Sequence, residues 1–216
     1  MNLQTNSFAY SPRARQVAAI IALLAFAALA VQPALGEFSY FVNLANMLRF
    51  FTIWGNIAAC ALMAAIALGR TPSQGTMAAL VTMMTVIGSI YWSLLADMHH
   101  PTGIDRITNQ FHHTFVPVAS VLFWLRFTPR ASSTFALVPA IMVPPLSYVA
   151  FALLLGQITG FYAYFFVDLT ELGWTRFLLN NAGLAVFFAA LGAVLVSIKN
   201  WLEPMIGEPS QPASLA

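Results

Sequence analysis

The sequence predicts an all-α bundle of six transmembrane helices, and composition is the first observation that predicts it. Of the 216 residues, 60% are hydrophobic and only 7% are charged, and the mean hydropathy is +0.78. Soluble domains carry about 25% charged residues, so this chain lacks the polar surface that such a domain needs. The weak net charge of +2 argues against a nucleic-acid binder, and the single cysteine, Cys60, excludes an intramolecular disulfide.

The lengths of the apolar stretches are the second observation, because a helix needs about 20 mostly apolar residues to cross a bilayer. Six stretches qualify, namely 17–35, 43–68, 77–96, 109–127, 135–156 and 177–202. They form one predicted domain over residues 1–202, and the proline-containing end, 203–216, is predicted to be a disordered cytoplasmic tail.

The connections between these stretches are short and contain turn-forming residues. Glycine, proline and serine occur in 69–75, between the second and third spans, and proline and serine occur in 128–133, between the fourth and fifth. Short connections favour antiparallel neighbours, and therefore an up-and-down bundle. The fourth span is short and begins with polar residues. The fifth contains Pro144 and Pro145, where we expect a kink, because neighbouring helices can satisfy the freed backbone groups.

The distribution of basic residues predicts the orientation of the chain. With the N-terminus in the cytoplasm, six of the nine basic residues lie on the cytoplasmic side. The cytoplasmic residues are Arg13, Arg15, Arg70, Arg126, Arg130 and Lys199, and the outer ones are Arg49, Arg106 and Arg176. We therefore expect a multi-pass protein of the inner or plasma membrane with both termini inside.

The first span has an alternative interpretation. Arg13 and Arg15, followed by an apolar run and by Ala-Leu-Ala at 28–30, are also typical of a cleavable signal peptide. The apolar run continues past Ala30 to Leu35, which favours a retained span.

Polar side chains inside three predicted spans fall on one face of each helix. In the second span they are Asn46, Arg49, Thr52 and Asn56; in the third, Thr82, Thr85, Ser89, Ser93 and Asp97; in the fourth, Asn109, His113 and Ser120. His112 points about 100° away from His113. Polar residues within membranes usually face the interior of the bundle, so we expect these faces to meet around one cavity. Hydrogen bonding between helices is the alternative role for the third-span residues.

Two of these residues, Arg49 and His113, are candidates for a direct chemical role. A full charge within a span costs about 2.5–3.5 kcal/mol, so Arg49 is predicted either to pair with a carboxylate or to stabilise an anion in the cavity. The candidate carboxylates are Asp97, Asp105 and Asp168. His113 is the best candidate for a general base, whereas His99 and His100 precede a proline and are interpreted as loop residues.

Three chemistries are compatible with this set of residues. In the first, His113 activates the hydroxyl of Thr52 as a nucleophile. In the second, histidines bind a metal or haem, but four histidines, two of them adjacent and two in a loop, do not form such a set, so no metal or cofactor is predicted. In the third, the chain is a transporter or a structural bundle, which remains the alternative.

Three sequence motifs resemble those of a known family. They are 50–56 (FFTIWGN), 109–116 (NQFHHTFV) and 159–168 (TGFYAYFFVD). These segments are similar to the Phe-x-Thr, Asn-His-x-x-His-Thr-x-Val and Thr-Gly-x-x-x-Tyr-Pro-Phe-Leu-acid segments of the androgen-induced gene one-like family of six-transmembrane proteins, which has a bacterial branch. The likeness runs in order from about residue 41 to residue 201.

The resemblance implies a membrane-embedded threonine hydrolase that cleaves lipid esters, with Thr52 as nucleophile and His113 as base. Characterised relatives act on esters between a fatty acid and a hydroxy fatty acid. The chain departs from the family pattern at Gln110, His112 and Phe165, which replace a histidine, a methionine and a proline. The substrate class is therefore expected to be an acyl-chain ester whose exact nature is open.

Further roles are predicted around this pair. Arg49 or Asn56 would stabilise the oxyanion, and Asp97 or Asp168 would orient the imidazole. Asn109 and Tyr164 are additional candidates for binding the substrate. The aromatic run 161–166, with Trp174, is interpreted as a membrane-interface belt, with a substrate gate as the alternative. The active site is expected on the extracytoplasmic side.

Overall fold

The structure, a computed structural model, describes residues 8–131, 133–206 and 211–212. In these ranges the chain is helical except for loops and one pair of two-residue strands. The α-helices are α1 (Pro12–Val31), α2 (Tyr40–Met47), α3 (Phe51–Ala67), α4 (Gln74–Ile90), α5 (Gly103–Gln110), α6 (Val116–Phe127), α7 (Val138–Thr159) and α8 (Leu169–Ile206). Two π-helical turns, Tyr91–Leu95 and Phe111–Phe115, follow α4 and α5, and 3₁₀ turns occur at Gln32–Leu35, Ala96–Met98, Phe135–Leu137 and Phe165–Val167.

Several of these helices are long and apolar enough to cross a membrane. They are Pro12–Leu35, Gln74–Met98, Phe135–Thr159 and Leu169–Ile206, and the bent pair α2 and α3 is a fifth candidate. The predicted all-α class is therefore confirmed, and these long apolar helices suggest a multi-pass membrane protein, with four to five candidate spans where six were predicted. Residues 103–127 form a nearly continuous helical segment, but it is not among the candidate spans.

The second predicted span is not one straight helix. The chain bends by 98° between α2 and α3, and Phe50 is extended there, with φ −102° and ψ 134°. The break contains neither proline nor glycine, and two side chains donate hydrogen bonds to its carbonyls, one from α3 itself and one from α7. The indole of Trp54 donates to the Leu48 carbonyl (2.9 Å), and the hydroxyl of Tyr148 donates to the Arg49 carbonyl (2.8 Å). The polar face predicted for this span is therefore interrupted just before Thr52.

The centre of the bundle is α4. It packs against α3, α6, α7 and α8, and its side chains Met77, Val81 and Met84 are fully buried. On the other side of α3 lies α1, which contributes the buried alanines Ala14 and Ala18. Small residues let two helix backbones approach closely within a membrane. This packing makes α1 an integral part of the bundle.

The last two helices and the chain ends complete the architecture. The helix α7 continues through Pro144 and Pro145 without a break, whereas α8 has a non-helical residue, Gly173, with φ 66°. The strands Phe8–Ala9 and Gln211–Pro212 pair antiparallel, which brings the two ends of the described chain together. The helix α8 extends past the predicted boundary at residue 202, and 207–210 and 213–216 of the predicted tail lie outside the described residues.

Candidate active site

A polar cavity of about 400 Å³ lies where the start of α3, the two π-helical turns, α5 and the loop before α8 meet. Its polar lining residues include Thr52, Tyr91, Asp105, Asn109, His112, His113 and Tyr164. The structure thus brings two residues from separate helical segments, Thr52 and His113, to one cavity. Asn109 and Tyr164, predicted as substrate-binding candidates, line the same cavity.

A second, apolar pocket adjoins the polar cavity. Its volume is about 70 Å³, and its lining includes Val86, Ile87, Leu184 and Phe188. Four residues line both spaces, namely Thr52, Tyr91, Leu95 and Tyr164. Thr52 therefore borders both spaces, of which only the polar cavity has amide, imidazole or carboxylate side chains in its described lining.

The ring of His113 is held from two directions. Its Nδ1 lies 3.1 Å from the carbonyl oxygen of Asn109, which only accepts hydrogen bonds, so Nδ1 carries the proton and donates it. In a neutral imidazole with this tautomer, Nε2 keeps a free lone pair. The ring also stacks on Tyr91, whose hydroxyl accepts a 2.6 Å hydrogen bond from the amide of Asn109. The ring of His113 is thus held in one orientation, with Nε2 as its unprotonated nitrogen.

Both aromatic members of this cluster lie on π-helical turns, Tyr91 on the first and His113 on the second. Single π-helical turns within α-helices are rare and occur frequently at functional sites. They add a residue to the local turn, so side-chain directions counted at 100° per residue shift. Both His112 and His113 line the cavity, although helical spacing predicted that His112 points elsewhere.

Thr52 is the second residue of α3, directly after the break. The first N–H groups of a helix have no intrahelical acceptor. Here the hydroxyl of Tyr164 contacts the backbone of Phe51 and both the backbone and the hydroxyl of Thr52. Burial raises the pKa of Tyr164, and these hydrogen bonds only partly offset the rise, so the phenol is neutral and keeps its proton as a donor.

Asn56 connects the two halves of the site. Its Nδ2 donates to the Thr52 carbonyl (2.9 Å) and to the His112 carbonyl (3.1 Å), and so joins the first turn of α3 to the π-helical turn of His113. Both amide hydrogens are used in these bonds, and Asn56 is not among the residues that line either cavity. Its position is that of a structural link, and the oxyanion role predicted for it would require these hydrogens to be released.

The charged residues predicted for the site lie apart from it. The guanidinium of Arg49 lies over the ring of Phe161, 4.9 Å from its centroid, outside both cavity linings. Asp97 is exposed on a 3₁₀ turn. Asp168 caps α8, where its Oδ1 accepts from the backbone N–H of Thr170 at 2.9 Å. The group that orients His113 is instead the Asn109 carbonyl.

Several cavity residues were not predicted as members of the site. No sequence pattern indicated a role for Tyr91 in the site, and Asp105 was considered only as a partner for Arg49. The carboxylate of Asp105 accepts a 2.7 Å hydrogen bond from Gln32, whose amide oxygen accepts from the hydroxyl of Thr108. Among the described residues, no group of three or more His, Cys, Asp or Glu side chains is arranged to hold a metal ion.

Comparisons with known protein families, with curated proteins and with solved structures find no match to this chain.

Proposed function

We propose that the protein is a membrane-embedded hydrolase of carboxylic esters, in which Thr52 is the nucleophile and His113 the general base. The observation that carries this proposal is the position of Thr52, which shares the polar cavity with His113 and also borders the apolar pocket. An ester at this boundary would place its acyl chain in the apolar pocket and its alcohol part in the polar cavity. The resemblance to the androgen-induced gene one-like family supports the same pair of residues.

The reaction proceeds through an acyl-enzyme. As the Oγ1 of Thr52 attacks the ester carbonyl, Nε2 of His113 accepts the hydroxyl proton, and a tetrahedral intermediate forms. The intermediate collapses, the bond to the alcohol oxygen breaks, and His113 returns the proton to that oxygen. Water then attacks the acyl-threonine, with His113 again accepting a proton, and the free acid leaves as the Thr52 hydroxyl is restored.

The developing oxyanion needs donors that are already in place. The proposed donors are the O–H of Tyr164 and the backbone N–H groups of Phe51 and Thr52 at the start of α3. A backbone N–H of the nucleophile itself serves this purpose in serine proteases. In the structure these N–H groups contact the Tyr164 oxygen, so a substrate oxygen would have to displace that oxygen to be held by all three donors.

The proposal includes six membrane crossings with both termini in the cytoplasm and the cavity on the outer side. The paired strands near the two chain ends support an even number of crossings. The segment 103–127 would be the additional crossing, and its polar first part would line the cavity rather than face lipid. A C-terminal green fluorescent protein fusion is expected to fluoresce; a dark fusion at normal expression would contradict this orientation.

The direct test of the reaction uses the full chain in lipid nanodiscs and a panel of carboxylic esters, with released acids measured by mass spectrometry. Wild type and Thr52→Ser are expected to release acid, whereas Thr52→Ala is not. Thr170→Ala, which changes an exposed threonine at the start of α8, is the matched control. A fluorophosphonate probe should label wild type and the control. Labelling that persists in Thr52→Ala would remove Thr52 as the nucleophile.

Transport is the second candidate, and the bent pair α2 and α3 favours it. Transporters bind their substrates where a membrane helix is interrupted, as this pair is at 48–50. A transporter would accumulate an intact ester in proteoliposomes, release no acid, and retain its activity in Thr52→Ala. That combination would replace the hydrolase proposal.

A further inference from the structure

The short helix α2 has polar side chains on its inner face and apolar side chains on its outer face. Asn43 is buried, and its amide donates to two backbone carbonyls at 2.8 Å, while Asn46 lines a small polar space of about 280 Å³. On the opposite face Phe41 and Ala45 are exposed, Phe41 to 78%. An exposed apolar face of this kind marks a contact with lipid or with another protein.

The helix α5 is arranged in the same way. Asp105 and Asn109 line the polar cavity and Thr108 is buried, whereas Ile104 and Ile107 are each more than half exposed. The outer residues of the two helices, which we call the apolar collar, are Phe41, Ala45, Ile104 and Ile107.

The two helices are neighbours at the rim of the polar cavity. The 3₁₀ turn Gln32–Leu35 packs against both of them, and the amide of Gln32 donates to the carboxylate of Asp105 at 2.7 Å. Met47, at the end of α2, and Met98, on the turn before α5, both line the polar cavity. The apolar collar therefore lies on the outside of the segments that enclose the cavity.

The bend between α2 and α3 orients the collar relative to a bilayer. The 17 residues of α3 span about 26 Å, slightly less than the roughly 30 Å of the hydrocarbon core. If α3 crosses the bilayer, its first residue, Phe51, lies at the edge of the hydrocarbon, and α2, turned by 98°, runs along that edge. The hydroxyl of Tyr40 donates to the carbonyl of Ala30 in the last turn of α1, so α2 begins at the level where α1 ends.

The charge on the outer side of α5 fits the same environment. Arg106 is exposed between the two isoleucines of the collar. Long basic side chains near the end of a membrane helix extend to the interface, where the lipid phosphates lie. A phospholipid therefore offers an apolar surface to Ile104 and Ile107 and an anion to Arg106.

We propose that α2 and α5 lie in the interfacial layer of the bilayer, with the apolar collar in contact with phospholipid, so that the rim of the polar cavity is at the boundary between lipid and water. In this arrangement α3 crosses the membrane alone, and α2 lies parallel to the membrane surface. The proposal concerns contact with lipid only, so it holds whether or not Thr52 cleaves esters.

Site-directed spin labelling measures the depth of the collar. Phe41→Cys and Ile107→Cys are made separately in a Cys60→Ala background, labelled, and reconstituted as the full chain in nanodiscs of phosphatidylcholine and phosphatidylglycerol. Electron paramagnetic resonance then gives the collision rates of each label with oxygen, which concentrates in lipid, and with a water-soluble nickel chelate. Leu23→Cys, exposed in the middle of α1, is the lipid reference, and Thr71→Cys, exposed between α3 and α4, is the water reference.

The labels at Phe41→Cys and Ile107→Cys are expected about 5–10 Å below the lipid phosphates, shallower than the label at Leu23→Cys. A collision ratio equal to that of Thr71→Cys would place the collar in water. Low collision rates with both reagents would mean that protein covers it, either a second copy of the chain or a partner. Either result would overturn the proposal.

Three more labelling positions complete the test. Ala45→Cys and Ile104→Cys, on the same outer faces, replace any collar variant whose thermal unfolding shows that it does not fold. Met98→Cys reports the rim of the cavity, and its label is expected between the depths of the collar and of the water reference. Access of the nickel chelate to Met98→Cys as free as to Thr71→Cys would contradict the proposed position of the rim.

Discussion

The imidazole of His113 lies against the phenol ring of Tyr91, with the ring centroids 3.9 Å apart and the ring planes 21° from parallel. Asn109 holds both rings, since its carbonyl accepts from His113 and its amide donates to Tyr91. Three residues from two π-helical turns and α5 therefore form one rigid unit. The orientation of the proposed base depends on this unit and not on a carboxylate.

The stack makes Tyr91 a positioning residue for His113. We expect Tyr91→Leu to lower kcat about ten- to a hundredfold, because small displacements of a catalytic group have effects of this size. Tyr91→Phe keeps the ring and should lose much less. The measurement is kcat in nanodiscs, with thermal unfolding of each variant as a check on folding. Equal losses in the two variants would show that the stack does not orient the base.

Tyr164 is predicted to act through its O–H group. Tyr164→Phe should reduce kcat about a hundredfold with little change in KM, since an oxyanion donor acts mainly in the transition state. Tyr162→Phe is the matched control, because Tyr162 lies in the same loop but lines neither cavity. A loss confined to KM would indicate substrate binding instead.

The pH dependence of this contribution follows from the raised pKa of Tyr164. Burial raises that pKa above its ordinary value of 10.0, so the phenol remains a donor throughout the range below it. The ratio of wild-type to Tyr164→Phe rates should therefore stay constant from about pH 7 to about pH 10. A ratio that falls within this range would mean that Tyr164 ionises there and would contradict the assignment.

The narrow apolar pocket predicts the chain-length preference. At about 70 Å³ it is smaller than the roughly 150 Å³ cavity that holds one benzene molecule, so short acyl chains should be cleaved fastest. Leu184→Ala widens the pocket and should raise the relative rate for longer chains, measured with p-nitrophenyl esters of increasing length. Leu178→Ala, at an exposed position of α8, should not. If both variants show the same dependence of rate on acyl-chain length, the acyl chain does not bind in the apolar pocket.

Because the phenol of Tyr10 is buried, we expect the protein to lose stability at alkaline pH. It is 7% exposed, and its hydroxyl is hydrogen-bonded to Thr128 at 3.3 Å. Burial raises its pKa more than this bond lowers it. The unfolded chain, with a pKa near 10, ionises first, so the stabilising contribution is complete below pH 10 and is lost as the pH rises through the folded value.

Thermal unfolding of the detergent-solubilised protein tests this expectation. Tyr10→Phe should be less stable than wild type by about 1 kcal/mol at pH 8, because the hydrogen bond is missing. The difference should shrink as the pH rises above 10, since only wild type has a phenol to ionise. If the difference in stability between the two proteins stays constant up to about pH 11, ionisation of Tyr10 is not the cause of the loss of stability at alkaline pH.

Parts of the site were predictable and others were not. The sequence selected Thr52 and His113 because a hydroxyl and an imidazole lie on the polar faces of two apolar segments, which is a local property of each segment. Asn56 was recognised as important, but its two hydrogen bonds to backbone carbonyls depend on a distant segment. Asp97 and Asp168 were predicted to orient the imidazole, but Asp97 is exposed, Asp168 caps α8, and neither lines the cavity.

Long apolar stretches and few charges were sufficient to predict an all-α chain with several candidate membrane spans, because a helix satisfies its backbone hydrogen bonds within one segment in lipid. The position of the break in the second predicted span is visible only in the folded chain. No proline or glycine marks residues 48–50, and at the break Trp54 and Tyr148 donate hydrogen bonds to the Leu48 and Arg49 carbonyls, which a continuous helix would use internally. That break starts a new helix beside Thr52. The contact between Tyr148 and Arg49 joins residues about a hundred positions apart, so it cannot be inferred from local sequence.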